Sequence, residues 1–182
     1  CEGRLGLLLV QHPAYLAEAC YYLAEVAAVD DPALDSAFYA AIAAALQGQA
    51  LHAEAVAALE KALARDGATP ELHARLAAAL LGLGGRERDA AAALHRAFEL
   101  DPTQLPWLYD EAVLLSQLAD EKPRAITLFR DYLTRLQGAD PAVTARIEGR
   151  IVELELDIAL SQPPPSKSTK KPQGAPPLGG SR

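Results

Sequence analysis

The sequence predicts an all-α fold: a right-handed α–α superhelix of stacked helical hairpins, finished by a C-terminal capping helix. Three observations carry this reading. Apolar residues recur at a 35-residue step, as Cys20, Ala55, Ala90 and Ala125; as Ala27, Ala62 and Ala97, followed by Tyr132; and as Leu59, Leu94 and Phe129. A fixed period of this size marks a repeat array, in which each unit covers its neighbour's apolar face. The chain is 51% hydrophobic yet only 5% aromatic, and much of the apolar content is alanine, the best helix former and a small one, which suits closely packed helices. No stretch shows the sustained alternation of β-branched residues that a strand would need.

The elements follow in order. Unit one, about residues 4–34, is the loosest: Leu5–Val10 makes a short first helix, His12-Pro13 a turn, and Ala14–Val29 the second helix. In unit two, about 35–69, Tyr39, Ile42, Ala43 and Leu46 form one stripe of a helix over Phe38–Gln47, and Ala55, Leu59, Ala62 and Leu63 face inward from Ala53–Arg65. In unit three, about 70–104, Leu76, Ala77 and Leu80 lie on Leu72–Leu81. Gly82, Gly84 and Gly85 turn the chain, and Ala90, Leu94, Ala97 and Phe98 form the next stripe. Unit four, about 105–141, pairs Leu108, Ala112 and Leu115 with Ala125, Phe129, Tyr132 and Leu133, and Pro123 sits at a helix start, where its missing N–H costs nothing. Pro32, Gly67 and Pro102 close successive units, each after an aspartate. A capping helix over about 142–160 carries Val143, Ile147, Ile151, Leu154 and Ile158 on one face and charges on the other: Arg146, Glu148, Arg150, Glu153, Glu155 and Asp157. Residues 161–182, rich in Pro, Ser and Lys, cannot bury a core and are expected to be a disordered tail.

These residues resemble the tetratricopeptide repeat family over about residues 4–160. Unit three carries the resemblance most fully, in Leu76-Ala77, Leu80, Gly84, Ala90, Leu94, Ala97 and Leu100-Asp101-Pro102. Unit two departs at Gly67, where proline is usual, and unit four at Tyr132, in place of a small residue, and at Glu111, in place of an apolar one. The resemblance implies a concave wall built from the first helix of each hairpin. The matching positions are Ala40, Ala44 and Gln47; Ala74, Ala78 and Leu81; and Tyr109, Val113 and Ser116, with Arg75 the basic residue nearby. Such a wall suits an amphipathic helix or an extended apolar peptide. The basic clamp by which some members hold acidic peptide C-termini is replaced mainly by alanine. The alanines either line a peptide groove or permit tight curvature. Trp107 and Tyr109 either anchor a partner or pack between repeats, and Tyr15, Tyr21 and Tyr22 would cover the open first unit.

The chemistry-bearing residues form no constellation. His12, His52, His73 and His95 are scattered over different units. His52-Ala53-Glu54 lacks the cysteine pair of a zinc deaminase, and Gly82-Leu83-Gly84-Gly85 lacks the ending of a phosphate loop. No enzyme activity, cofactor or metal is expected. The net charge is −7 although the tail holds Lys167, Lys170, Lys171 and Arg182 and no acid, so the body is strongly acidic and not suited to nucleic acid. No segment reaches the roughly 18 apolar residues of a membrane span. The chain contains no methionine and begins at Cys1, a candidate for lipidation as in bacterial lipoproteins, which would place it in the periplasm at the outer membrane. Otherwise it would be a cytoplasmic piece of a longer reading frame. The expected function is a non-catalytic scaffold that binds a protein or peptide partner, in the envelope case assisting assembly of a membrane complex. The alternatives are a structural subunit docked through its terminal repeats or the repeat domain of a larger regulator.

Overall fold

The apolar stripes become helices that pack in sequence order. The computed structural model describes residues 2–29, 31–136 and 140–161. Among these the elements are α1 (Glu2–Leu9), a 3-10 turn (Pro13–Tyr15), α2 (Leu16–Ala28), α3 (Ser36–Gly48), α4 (His52–Arg65), α5 (Pro70–Leu83), α6 (Glu87–Leu100), α7 (Leu105–Ser116), α8 (Lys122–Arg135) and α9 (Pro141–Ser161). From α3 to α9 each helix packs on the next. Cys1 and the expected tail from 162 onward lie outside the described residues, and Ser161 ends α9.

Local chemistry sets the boundaries. Asp35 caps α3, its carboxylate accepting the Phe38 N–H at 2.7 Å, so the helix opens at Ser36 rather than at Phe38. Proline stands in the first turn of α5, α7 and α8, where no intrahelical donor is lost. After α3 the chain reverses through Ala50 at φ 58°, with the Leu51 N–H returning to the Leu46 carbonyl at 3.0 Å, a C-terminal motif that usually employs glycine. After α5, Gly84 and Gly85 take the same side of φ space. Gly82 serves closeness instead: the His52 ring lies against it, so even a methyl group there would strike the imidazole.

The alanines of the 35-residue step sit where helices cross. Ala55, Ala62, Ala90, Ala97 and Ala125 are sealed from solvent, with Leu59, Leu94 and Phe129 packed between them. Unit one keeps the period only at its end. Ala27 is buried like Ala62 and Ala97, but Ala19 and Leu23 take the earlier inward positions, and Cys20, expected to be buried, is only partly so. The stripe there has slipped by one residue, and α2 rests across both α3 and α4. The junction is held by polar contacts to the end of α2. The fully buried Tyr39 donates to the Val29 carbonyl at 3.1 Å and accepts the Asp31 N–H at 3.0 Å. Lys61 donates to the Ala27 carbonyl, and Arg65 to those of Leu34 and Asp31. Carbonyls left open at a helix end and just beyond it are the natural targets for such cations. The Arg65 guanidinium also stacks 4.4 Å from the Tyr39 ring centre.

The cap α9 differs from the expectation. Its inner stripe (Ile147, Ile151, Leu154) is buried, but its outer side is not wholly charged: Val152, Leu156 and Leu160 are exposed at 63%, 57% and 75%.

Candidate functional site

The first helices of the hairpins, α3, α5 and α7, with α9 after them, leave three seams between neighbours, and the three are finished differently. Between α3 and α5 the seam is closed by side chains. Arg75 on α5 donates to the Ala40 carbonyl at 2.8 Å, and the Gln47 amide returns to the Arg75 carbonyl at 3.1 Å. Partial burial lowers the pKa of the Arg75 guanidinium from its usual value, as desolvation of a cation must.

Between α5 and α7 the seam is open. A pocket of about 380 Å³ is lined by Ala74, Ala77, Ala78 and Leu81 of α5 and by Trp107, Asp110, Val113 and Leu114 of α7, with Leu94 of α6 as its floor. Ala74, Ala77 and Ala78 on α5 make the space, since only Leu81 presents a longer side chain to it from that helix. Partial desolvation raises the pKa of the Asp110 carboxyl from its ordinary value.

Between α7 and α9 lies a second pocket, of about 250 Å³, lined by Tyr109, Val113, Ser116 and Gln117, floored by Phe129 of α8 and bounded by Arg146, Ile147 and Arg150 of α9. Ser116 joins its walls: the hydroxyl donates to the Val113 carbonyl at 2.7 Å and accepts from Arg150 at 3.3 Å. Tyr109 is set by ring packing, with centroids 5.8 Å from Phe129 and 5.3 Å from Tyr132. Tyr132, the departure from the family's small residue, thus supports a wall residue.

Val113 borders both pockets, so the two adjoin across α7 and together outline a groove over α5, α7 and α9. The structure places Ala74, Ala78, Leu81, Tyr109, Val113 and Ser116 on this groove. Ala40, Ala44, Gln47 and Arg75 line neither pocket; Arg75 and Gln47 bond to each other's helix instead. Sequence reasoning did not assign Asp110, Leu114, Arg146 or Arg150 to the wall. The two arginines were visible as the charged side of the cap, but their reach to Ser116 depends on where α9 comes to rest.

Behind the groove, Glu111 of α7 is fully buried. It accepts from Arg124 of α8 at 2.6 Å and lies 3.1 Å from His95 Nδ1 of α6. Desolvation raises its pKa, and the His95 and Arg124 charges act against that. This network explains how an acid occupies a position the family fills with an apolar residue: both carboxylate oxygens have partners. Among the described residues no group of three or more His, Cys, Asp or Glu is placed to hold a metal, and no helix is long and apolar enough to cross a membrane.

No protein-family model and no curated protein sequence matches the chain. Solved structures do. A crystal structure of MamA protein superposes with a TM-score of 0.58 at 15% identity, over 87% of this chain and 88% of that one. A second MamA crystal structure gives 0.55 at 18% identity, over 78% and 83%. A structure described as MamA MSR-1 C2 gives 0.55 at 18% identity, over 87% and 91%. MamA has the tetratricopeptide-repeat fold, and this chain shares its all-α helical-repeat superhelix.

Proposed function

We propose that the protein is a non-catalytic interaction scaffold that holds a peptide segment of a partner protein in the groove crossing α5, α7 and α9. The observation that carries this reading is that the two pockets adjoin at Val113, with small residues of α5 on one side and Trp107 and Tyr109 on the other. Rigid aromatic rings beside an apolar floor anchor side chains at little entropic cost. The charged groups of the groove are few: Asp110 on α7 in the first pocket, and Arg146 and Arg150 on α9 in the second. The matching ligand is an amphipathic helix or extended peptide with apolar anchors, a basic group over Asp110 and an acidic group over the arginines.

Ala78 is exposed on α5 and faces the pocket, so Ala78→Arg fills the groove without disturbing the core. The test is affinity capture from the source cells with wild-type and A78R chains, each checked for helicity. Partners that bind the wild type and are lost from A78R support the groove. The same partners retained on A78R and on Val113→Arg would show that binding lies elsewhere. Mass spectrometry of the captured chain also reads Cys1. A lipid there with envelope partners gives the assembly lipoprotein; sequence continuing upstream with soluble partners gives a domain of a larger scaffold.

A further inference from the structure

We infer that the outer face of α9 is a self-association surface on which a second copy of this chain docks, α9 against α9, antiparallel. The inner stripe of α9 is used up on α8. A second apolar stripe runs along the opposite side: Ala145, Gly149, Val152, Leu156 and Leu160 follow at steps of four, three, four and four residues, the spacing of a helix–helix seam. All five are exposed. Gly149, with open space over its Cα, leaves room for a close approach.

The charges beside the stripe identify the occupant and its direction. On one flank the order is Arg146, Arg150, Glu153, Asp157, all exposed, two cations followed by two anions. The order reverses sign about a point between residues 151 and 152, within one residue of the middle of the apolar stripe. Antiparallel packing of two such helices sets Arg146 opposite Asp157, and Arg150 opposite Glu153, twice over by symmetry. In a parallel pair this flank would instead face the opposite one, and the symmetric pairing of Arg146 with Asp157 and Arg150 with Glu153 would be lost. Within one chain Arg150 already pairs with Glu153 at 3.1 Å and with Ser116 at 3.3 Å, and Asp157 with Lys122 at 3.2 Å, so most of the flank is ordered before association. The opposite flank carries Glu148 and Glu155, which would meet across the pair, but Glu155 is bonded to Arg130 at 2.5 Å and does not stand as a bare charge. The residues after α9 are a poor alternative cover: from 162 to 182 the one large apolar side chain is Leu178.

A single helix pair falls short of the roughly 1,200 Å² that marks a standard stable interface, so the dimer is weak and reversible. Sedimentation equilibrium of the full chain over a concentration series tests it. The expected mass rises from 19.3 kDa toward twice that value. Val152→Glu with Leu156→Glu should weaken association about a hundredfold, with helicity unchanged, because both changes lie on the solvent side of the helix. Arg150→Glu alone should weaken it, and adding Glu153→Arg should restore it. Spin labels at Leu160→Cys, with Cys1 and Cys20 replaced, should lie roughly 20 Å or more apart in an antiparallel pair, from the 1.5 Å rise per residue, and side by side in a parallel one. A chain that stays monomeric to about 500 μM overturns the proposal, since weak interfaces associate below that. So does a dimer indifferent to the two glutamates, a parallel label distance, or a monomer that presents this stripe to a different protein.

Discussion

Two neighbouring seams of one wall, α3 with α5 and α5 with α7, come from consecutive turns of the same 35-residue pattern and end up opposite in character. Arg75 fills the first and bonds it shut; the second stays open over Leu94. The difference lies in where units three and four point their charged side chains. Arg75 faces the wall, so α5 is tied forward to α3. Glu111 faces backward, so α7 is tied to α6 and α8 and makes no such bridge to α5. A repeat array can therefore leave one seam open and close the next without changing its backbone plan, according to whether a long side chain bridges the first helices of neighbouring units.

The largest effect is expected at the floor of the open seam. Leu94→Ala should cost about 3 kcal/mol by thermal or denaturant unfolding, toward the lower part of the range for buried leucine because the site already borders a pocket. Next comes the back contact: Arg124→Ala should cost about 2 kcal/mol, less than a fully buried pair, because Arg124 is 47% exposed and His95 remains beside Glu111. Glu111→Leu in the same background should recover most of that loss, since no charge is then left buried. Arg75→Ala should cost about 1 kcal/mol, because the lost hydrogen bond is offset by relief of a partly desolvated cation. It should also open the closed seam, seen as new binding of an apolar fluorescent probe that Gln47→Ala alone does not allow. The smallest change runs the other way: Ala50→Gly should stabilise by about 0.5–1 kcal/mol, because glycine meets no Cβ penalty at φ 58°.

Much of the architecture was legible because small side chains leave a periodic trace. Ala55, Ala62, Ala90 and Ala97 mark the crossings, and caps and prolines mark the ends. Glu111 stood out as an acid in an apolar slot, yet its partners could not be read. His95 and Arg124 belong to other helices, at separations no helical spacing connects, and meet it only once three helices have packed. The site was legible in part for the same reason. Ala74, Ala78 and Val113 follow from repeat position, whereas the loss of the α3 wall follows from how far one long guanidinium reaches. The outer stripe of α9 was present as Val152, Leu156 and Leu160, but the charges beside it hid an apolar line behind an acidic and basic average.

The polar clamp at the first junction has a consequence for how the molecule opens. In a linear array, stability is a sum of unit terms and nearest-neighbour couplings. The coupling between units one and two adds to the buried Leu23 and Ala27 three side chains, Tyr39, Lys61 and Arg65, that reach backbone carbonyls, where later junctions bury more leucine and phenylalanine. Unit one should therefore come away as a separate cooperative block. Its amides would exchange with solvent through a partial opening that leaves units two to four folded, and increasingly so as salt screens the cations.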